Sequence, residues 1–80
     1  MPTKAYILIE TAVGESNSVV DALRLISGMH SLDPVTGPYD IIATIEAPDL
    51  NAVGDIITSD IHTISGIIRT VTCLSLSPSV

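Results

Sequence analysis

The chain has 80 residues and a formal net charge of −6, with nine acidic side chains against three basic ones. Domains typically contain about 100–150 residues, so we expect a single domain over residues 1–80. Three cations cannot neutralise a run of phosphates, which argues against nucleic-acid binding by this chain alone. One cysteine excludes an internal disulfide framework and a cysteine-only zinc site. No apolar run approaches the roughly 20 residues of a membrane span and the N-terminus lacks a secretory pattern, so a cytoplasmic domain is expected.

Residues 5–10 form the first predicted strand, because nearly all of them are apolar and the run is short. Both faces of this strand are apolar, so we expect both to be covered. A helix should follow, capped by Ser16 or Asn17 and ended by Gly28. Its apolar side chains recur at helical spacing, at Val19, Val20, Leu23 and Ile26.

Two strands joined by a turn are predicted in the middle of the chain. Residues 29–36 form the weaker one, and Pro34 cannot donate to a strand ladder, so this strand is expected at an edge of the sheet. A turn at residues 36–38 leads into the stronger strand, residues 39–47, in which apolar side chains alternate.

A second helix is predicted to begin at Pro48 and Asp49 and to end at Gly66. Its apolar side chains repeat at steps of three and four, at Leu50, Val53, Ile57, Ile61 and Ile64. Residues 67–76 follow as the last strand, and residues 77–80 are expected to form a short frayed tail.

The predicted order is strand, helix, strand, strand, helix, strand. Two interleaved βαβ halves with right-handed crossovers give an α+β, ferredoxin-like sandwich: a four-stranded antiparallel sheet with both helices on one face. The opposite face carries apolar side chains on the first, third and fourth strands. An exposed apolar surface of that size normally marks an interface, so we expect a dimer or larger assembly through the sheet.

Few side chains in the sequence carry reactive chemistry. His30 and His62 lie far apart, with no further ligand at the spacing of a metal site, so neither a metal nor another cofactor is expected. Cys73 falls inside the last strand, where a buried and inert thiol is the usual outcome. The glycines are scattered singly and form no phosphate-binding loop.

One carboxylate and two hydroxyls are the candidate ligand contacts. Asp40 comes directly after the turn, where a carboxylate either stabilises the turn or contacts a ligand, and the pattern leaves both open. Thr70 and Thr72 lie two residues apart and therefore point from the same face of the last strand. Such hydroxyls either bind a small polar ligand or simply favour the strand conformation.

Two blocks of the sequence resemble a known family. Residues 35–40 read VTGPYD and residues 64–72 read ISGIIRTVT. With the helix between them, they are similar to the V-T-G-x-Y-D and P-G-V-x-R-T-x-T patterns of the effector-binding (RAM) domain of the Lrp/AsnC (feast/famine) transcription regulators. The resemblance covers essentially the whole chain. Ser65 stands where the family often has proline, and no helix-turn-helix domain precedes the first strand, so a stand-alone effector domain is expected.

The resemblance implies a ferredoxin-like dimer that joins further dimers into a ring, commonly an octamer, with amino acids bound in clefts between dimers. By position, the ligand contacts would be Thr36, Gly37, Tyr39, Asp40, Thr70 and Thr72. Asp40, or backbone carbonyls, would meet the ligand ammonium. Backbone N–H groups near Gly37 and a threonine hydroxyl would meet its carboxylate.

The function expected from the sequence is regulatory rather than enzymatic. The domain would sense an amino acid or related small metabolite and modulate transcription or metabolism through partner proteins, among them full-length Lrp/AsnC-type regulators. The alternatives are an ACT-like amino-acid sensor, a small ferredoxin-like dimeric enzyme and an assembly subunit without a ligand. An enzyme of this fold generally needs a histidine or an acid in a deep apolar pocket, and neither histidine falls on a plausible pocket strand.

Overall fold

The computed structural model, which describes residues 2–77, contains strands and helices in the predicted order. Strand β1 spans Thr3–Thr11, helix α1 Ser16–Leu23, strand β2 Met29–Pro34 and strand β3 Ile41–Ala47. Helix α2 spans Leu50–Asp55 and continues as a π-helical segment, Ile56–Ile61, before strand β4, Ile67–Leu74. Apart from its first residue, the expected tail at 77–80 lies outside the described residues.

The strands form one antiparallel sheet in the order β2-β3-β1-β4. Strand β1 lies in the interior of the sheet, where Ile7 pairs with Ala43 on one side and with Thr72 on the other. Strand β2 is an edge strand that ends at Pro34, as the missing N–H of proline predicts. The predicted ferredoxin-like fold is therefore confirmed.

One face of the sheet and the inner sides of both helices enclose a single aliphatic core. The apolar side chains of β1 and β3 that alternate toward the helices are fully buried, as the period-two pattern requires. The completely enclosed side chains are Ala5, Ile7, Ile9, Val19, Leu23, Ile41, Ala43, Ile45 and Ile61. Because helix and sheet residues share this one cluster, both helices cover the same face.

The start of helix α1 differs from the prediction. Glu15 is its N-cap residue, and its side chain makes no capping bond to the helix backbone. Neither Ser16 nor Asn17 caps the helix, since both lie inside its first turn. The Ser16 hydroxyl instead lies 2.7 Å from the Thr11 hydroxyl. This side chain therefore makes a tertiary hydrogen bond in place of the helix cap that its local preference predicted.

The start of helix α2 agrees with the prediction, because the Asp49 carboxylate accepts a hydrogen bond of 2.8 Å from the Ala52 N–H. Two other expectations need correction. Leu50 is 58% exposed and does not join the core. Both helices also end several residues before Gly28 and Gly66, which lie instead in the turns that lead into β2 and β4.

Gly66 has a φ of +100°, and a Cβ there would lie 3.0 Å from the Glu15 Cβ and 3.1 Å from a Val19 methyl carbon. Replacing Gly66 with alanine should therefore lower the free energy of unfolding by about 2–4 kcal/mol, through backbone strain and overpacking together. Gly14 is the matched control, since its φ is +81° but a Cβ added there would meet no atom within 4 Å. Gly14→Ala should lower the free energy of unfolding by only about 1 kcal/mol, as measured by urea unfolding. An equal loss in the two variants would contradict the packing argument.

The sheet face away from the helices is open and largely apolar at its centre. Leu8 pairs with Ile42 on β3 and with Val71 on β4, so these three side chains form a row across the middle of the sheet. Tyr6 lies beside this row and pairs with Cys73. We call these five residues the open sheet face. Cys73 is exposed in the protomer, so the prediction of a buried thiol is wrong.

Candidate functional site

Most of the sequence-predicted site residues lie around one end of the sheet, and Thr72 lies further along β4, opposite Ile7 in the middle of β1. At that end of the sheet strand β1 stops at Thr11, and because the sheet is antiparallel, its neighbours β3 and β4 both begin there. Asp40 directly precedes β3, and the loop that carries Thr36 and Gly37 joins β2 to β3 at the same end. Thr70 is opposite Ile9 near the start of β4. The fold therefore gathers residues that lie far apart in the sequence.

Asp40 is held through both its backbone and its side chain. Its N–H donates to the Ile9 carbonyl at 2.9 Å, and its own carbonyl accepts from the Val35 N–H at 2.9 Å. One carboxylate oxygen, Oδ2, accepts from the Thr11 N–H at 2.8 Å and from the Thr11 hydroxyl at 3.2 Å. Asp40 thus closes the loop between β2 and β3 against the end of β1.

The hydrogen-bond chain continues from Thr11 into helix α1. A carboxylate only accepts, so the single hydroxyl proton of Thr11 goes to Asp40. The Ser16 hydroxyl, 2.7 Å away, must then donate to the Thr11 oxygen. This Asp40–Thr11–Ser16 chain links the loop before β3, the end of β1 and the first residue of α1.

The second carboxylate oxygen of Asp40, Oδ1, is available for another partner. Within residues 2–77, the side-chain hydrogen bonds of Asp40 all use Oδ2. In the same part of the chain, no buried side-chain oxygen or nitrogen lacks a partner. Oδ1 therefore reaches the surface, and the carboxylate can stabilise the turn with one oxygen and present the other outward.

The loop residues beside Asp40 are mostly exposed. Thr36 and Gly37 are exposed and Tyr39 is half-buried. Gly37 has a φ of +141°, a conformation that favours glycine, and no neighbouring atom would meet a Cβ there. The backbone conformation, rather than a close contact with a neighbouring residue, therefore explains the glycine at this turn. Tyr39 and Asp40 belong to the loop, so strand β3 begins two residues later than predicted, at Ile41.

The two threonines lie on the edge strand β4, across β1 from Asp40. Thr70 and Thr72 are opposite Ile9 and Ile7 and so share the helix-side face of the sheet. Thr70 is half-buried and Thr72 is exposed, since the helices do not fully cover this edge. Strand β4 ends at Leu74, two residues earlier than predicted.

The expected contacts form two groups within one protomer. Thr36, Gly37, Tyr39 and Asp40 lie on the β3 side of strand β1, and the two threonines lie on its β4 side. Two strand spacings of about 4.8 Å separate these sides by about 10 Å. In a single protomer the expected contacts therefore form two separate groups rather than one enclosed pocket.

One neighbour of this region was not expected from the sequence. The His62 Nε2 lies 3.0 Å from the Thr70 hydroxyl oxygen, and both residues line a small pocket with Ile67, Ile68 and Arg69. The volume of this pocket is about 250 Å³. His62 directly follows the π-helical segment, and its N–H donates to the Ile57 carbonyl five residues earlier, at 2.9 Å. Such π-helical turns are frequent at functional sites, but their presence leaves no periodicity signal in a sequence.

No three histidine, cysteine or acidic side chains among residues 2–77 lie close enough to share a metal ion. Over the same residues, no helix has both the length and the apolar character to cross a membrane.

Comparison with known families decides where the chain belongs. The profile of the Lrp/AsnC ligand binding domain matches residues 4–80. The chain is a member of the Lrp/AsnC family. The resemblance seen in the two sequence blocks is thereby confirmed over essentially the whole chain. The comparison with curated proteins gives no significant match.

Solved structures share the fold of this chain. TTHA0845 from Thermus thermophilus has a TM-score of 0.89 and 26% identity, with 96% of each chain covered. AsnC from E. coli has a TM-score of 0.90 and 20% identity over 98% of this chain and 53% of its own. The transcriptional regulator NMB0573 from Neisseria meningitidis, solved as a complex with L-Met, has a TM-score of 0.84 and 16% identity over 94% of this chain and 50% of its own. The two regulators share the fold and are about twice as long as the matched region.

Proposed function

We propose that this Lrp/AsnC domain binds an amino acid or a closely related metabolite and regulates transcription or metabolism through an oligomer and its partner proteins. The observation that carries the proposal is the match to a family of ligand-binding domains along essentially the entire chain. The polar groups at one end of the sheet supply the chemistry for such a ligand. The L-Met complex of a structural neighbour supports an amino acid as the ligand class.

A zwitterionic ligand needs an acceptor for its ammonium group and donors for its carboxylate. The outward Oδ1 of Asp40 is a charged acceptor, and charge-assisted hydrogen bonds are the stronger kind. Pro38 has no N–H, so donors in the turn come from Gly37 and Tyr39, and the threonine hydroxyls on β4 add two more. We propose Thr36, Gly37, Tyr39, Asp40, Thr70 and Thr72 as the ligand contacts.

The two separate groups of expected contacts support an oligomeric mode of binding, in which each group is a half-site. A ligand cleft between dimers would bring the Asp40 side of one protomer toward the threonine side of another. We propose a homodimer formed through the open sheet face, and a ring of such dimers, such as an octamer. The apolar row at the centre of that face has polar pairs at its margins, Arg69 with Glu10 at 3.3 Å and His30 with Glu46 at 3.0 Å. An apolar centre with a polar rim is the usual composition of a protein interface.

Proteins rather than DNA are the proposed partners of this chain, which we place in the cytoplasm. Its three cations are engaged within the protomer: Arg24 lies 3.9 Å from Asp21, Arg69 pairs with Glu10, and the Lys4 ammonium lies 5.3 Å from the Tyr6 ring centre. Full-length Lrp/AsnC-type regulators, which share this fold, are candidate partners. An enzymatic role has less support, because both histidines are exposed and the matched family is a ligand-binding one.

Calorimetric titration with each of the twenty common amino acids tests the proposal. We expect at least one of them to bind the unmodified protein. Thr72→Val keeps the shape of the side chain but removes its hydroxyl, and should weaken that binding about 3- to 10-fold. Thr3→Val, at the opposite end of the sheet, is the matched control and should change nothing. Absence of binding by all twenty, or equal loss in both variants, would refute the proposed ligand class or its location.

A further inference from the structure

The contact between His62 and Thr70 joins a titratable side chain to a proposed ligand contact. The imidazole Nε2 lies 3.0 Å from the Thr70 hydroxyl oxygen, across the pocket between the end of the π-helical segment and the start of β4. His62 is exposed, and Thr70 is half-buried, so the Thr70 hydroxyl is confined. The sequence predicted no contact between these two side chains.

The charged groups around this contact are few. Arg69 on β4 also lines the pocket, but its guanidinium lies 3.3 Å from the Glu10 carboxylate of β1. Both side chains project from the open sheet face, opposite to Thr70, because residues paired across strands share a face. Asp60 on the π-helical segment is exposed and precedes His62 by two residues. Within the pocket itself, His62 and Thr70 are therefore the polar side chains that face each other.

The direction of this hydrogen bond determines what Thr70 offers to a ligand. A neutral imidazole with an unprotonated Nε2 accepts the hydroxyl proton, which leaves Thr70 only lone pairs to present. An imidazolium has a proton on both nitrogens and must donate to the Thr70 oxygen. The hydroxyl proton of Thr70 is then free to point into the pocket. The same side chain is an acceptor in the first state and a donor in the second.

We propose that neutral His62 is the Nδ1–H tautomer and that His62 is a positioning residue for the ligand site: its protonation turns the Thr70 hydroxyl into a donor and tunes the pocket for a carboxylate. This inference rests on the proposed function and specifies that the β4 side of the site receives the carboxylate of the ligand. A histidine changes charge between about pH 5 and 8, so carboxylate affinity should rise as the pH falls through that range. The positive charge of the imidazolium also raises the affinity for a carboxylate. By linkage, carboxylate binding takes up protons near neutral pH.

Acetate is a suitable probe, since it carries the carboxylate without the rest of an amino acid. Its affinity can be measured by NMR titration of the isotope-labelled protein at about pH 5.5 and about pH 8. We expect the affinity to be about 3- to 10-fold higher at the lower pH, the size of effect that one such hydrogen bond gives. Methylammonium, which offers only a cation, should show no such increase at low pH.

Two sets of variants separate this role from a structural one. His62→Gln should bring the ratio of the two affinities to about one, whereas His30→Gln, which alters the other histidine, should leave it unchanged. Thr70→Val should reduce the pH effect to the part that the imidazolium charge supplies, and Thr70→Ser should restore it in full, because serine keeps the hydroxyl. Circular dichroism at both pH values checks that each variant is folded.

The results distinguish this inference from the proposed function. A pH effect that survives in His62→Gln, or that disappears in His30→Gln, would overturn the role of His62. Failure of acetate to bind at either pH would also overturn it, even if an amino acid binds through the Asp40 side. A His62-dependent acetate effect without binding by any amino acid would uphold the inference and refute the proposed ligand.

Discussion

Asp40→Ala should lower the free energy of unfolding by about 1.5–3 kcal/mol, because it removes both hydrogen bonds that the carboxylate accepts from Thr11. The Thr11 N–H belongs to a residue that is only 7% exposed, so it cannot readily find water as a substitute. Urea unfolding at a fixed protein concentration measures the loss. The same variant should also abolish amino-acid binding, since Oδ1 is the proposed ammonium acceptor.

Asp40→Asn separates these two roles. The amide oxygen can still accept from Thr11, so the variant should lose less than about 1 kcal/mol of stability. Its amide carries no charge, so the affinity for an amino acid should fall about 10-fold or more. An asparagine variant that binds as tightly as the unmodified protein would place the ammonium elsewhere. An alanine variant with full stability would refute the role of Asp40 in holding the turn.

Val71→Asp should convert the proposed dimer into monomers. Val71 lies in the apolar row of the open sheet face, directly opposite Leu8, and a dimer through this face would bury the new carboxylate without a partner. An unpaired buried charge costs several kcal/mol, so the dimer dissociation constant should rise about 100-fold or more. Because Val71 is 37% exposed in the protomer, the fold itself should tolerate the change. Sedimentation velocity over a range of protein concentrations measures the shift.

Leu25→Asp is the matched control for this experiment. Leu25 is also an exposed aliphatic residue, at 87%, but it lies just beyond helix α1 and outside the sheet. The substitution also replaces an aliphatic side chain with a carboxylate, and it should leave the proposed dimer intact. If the unmodified protein sediments as a monomer at micromolar concentration, or if both variants dissociate equally, the interface does not lie on the open sheet face.

The architecture of the sheet could be predicted because its signals are local and repeated. Alternation of Ala5, Ile7 and Ile9 identifies the buried face of β1 without knowledge of its partners. Pro34 indicates an edge strand, and Asp49 indicates a helix start. Each of these inferences depends on backbone chemistry that acts within a few residues. The wrong assignments of Ser16 and Leu50 arose where a contact elsewhere in the fold, or its absence, outweighed local preference.

The geometry of the candidate site depends on contacts that no local pattern encodes. Asp40 and Thr11 are separated by 29 positions, and their hydrogen bond exists because β1 and β3 pair in one particular register. The π-helical segment could not be predicted from the sequence either, because the i, i+4 spacing of Ile57 and Ile61 is also typical of an α-helix. The position of His62 follows from that segment, so its contact with Thr70 could not be anticipated.

The resemblance to the Lrp/AsnC family identified the candidate contacts but did not predict that they form two separate groups in the protomer. Both sequence blocks fall at the same end of the sheet, as one common site would require. Only the strand order shows that β1 separates Asp40 from Thr70. A motif gives residue types and their spacing along the chain. Whether those residues meet in one protomer or across two depends on the topology that the motif leaves out.

The strand order also constrains how this domain acquires its structure. The first strand pairs with the third and with the last, so β1 remains incomplete until the final strand is available. Only β2 and β3 are neighbours both along the chain and in the sheet. Contacts between distant residues slow folding, because the chain must close long loops before it gains their energy. Until then β1 is an apolar segment with exposed backbone donors and acceptors, and it is the strand from which we expect aggregation to begin.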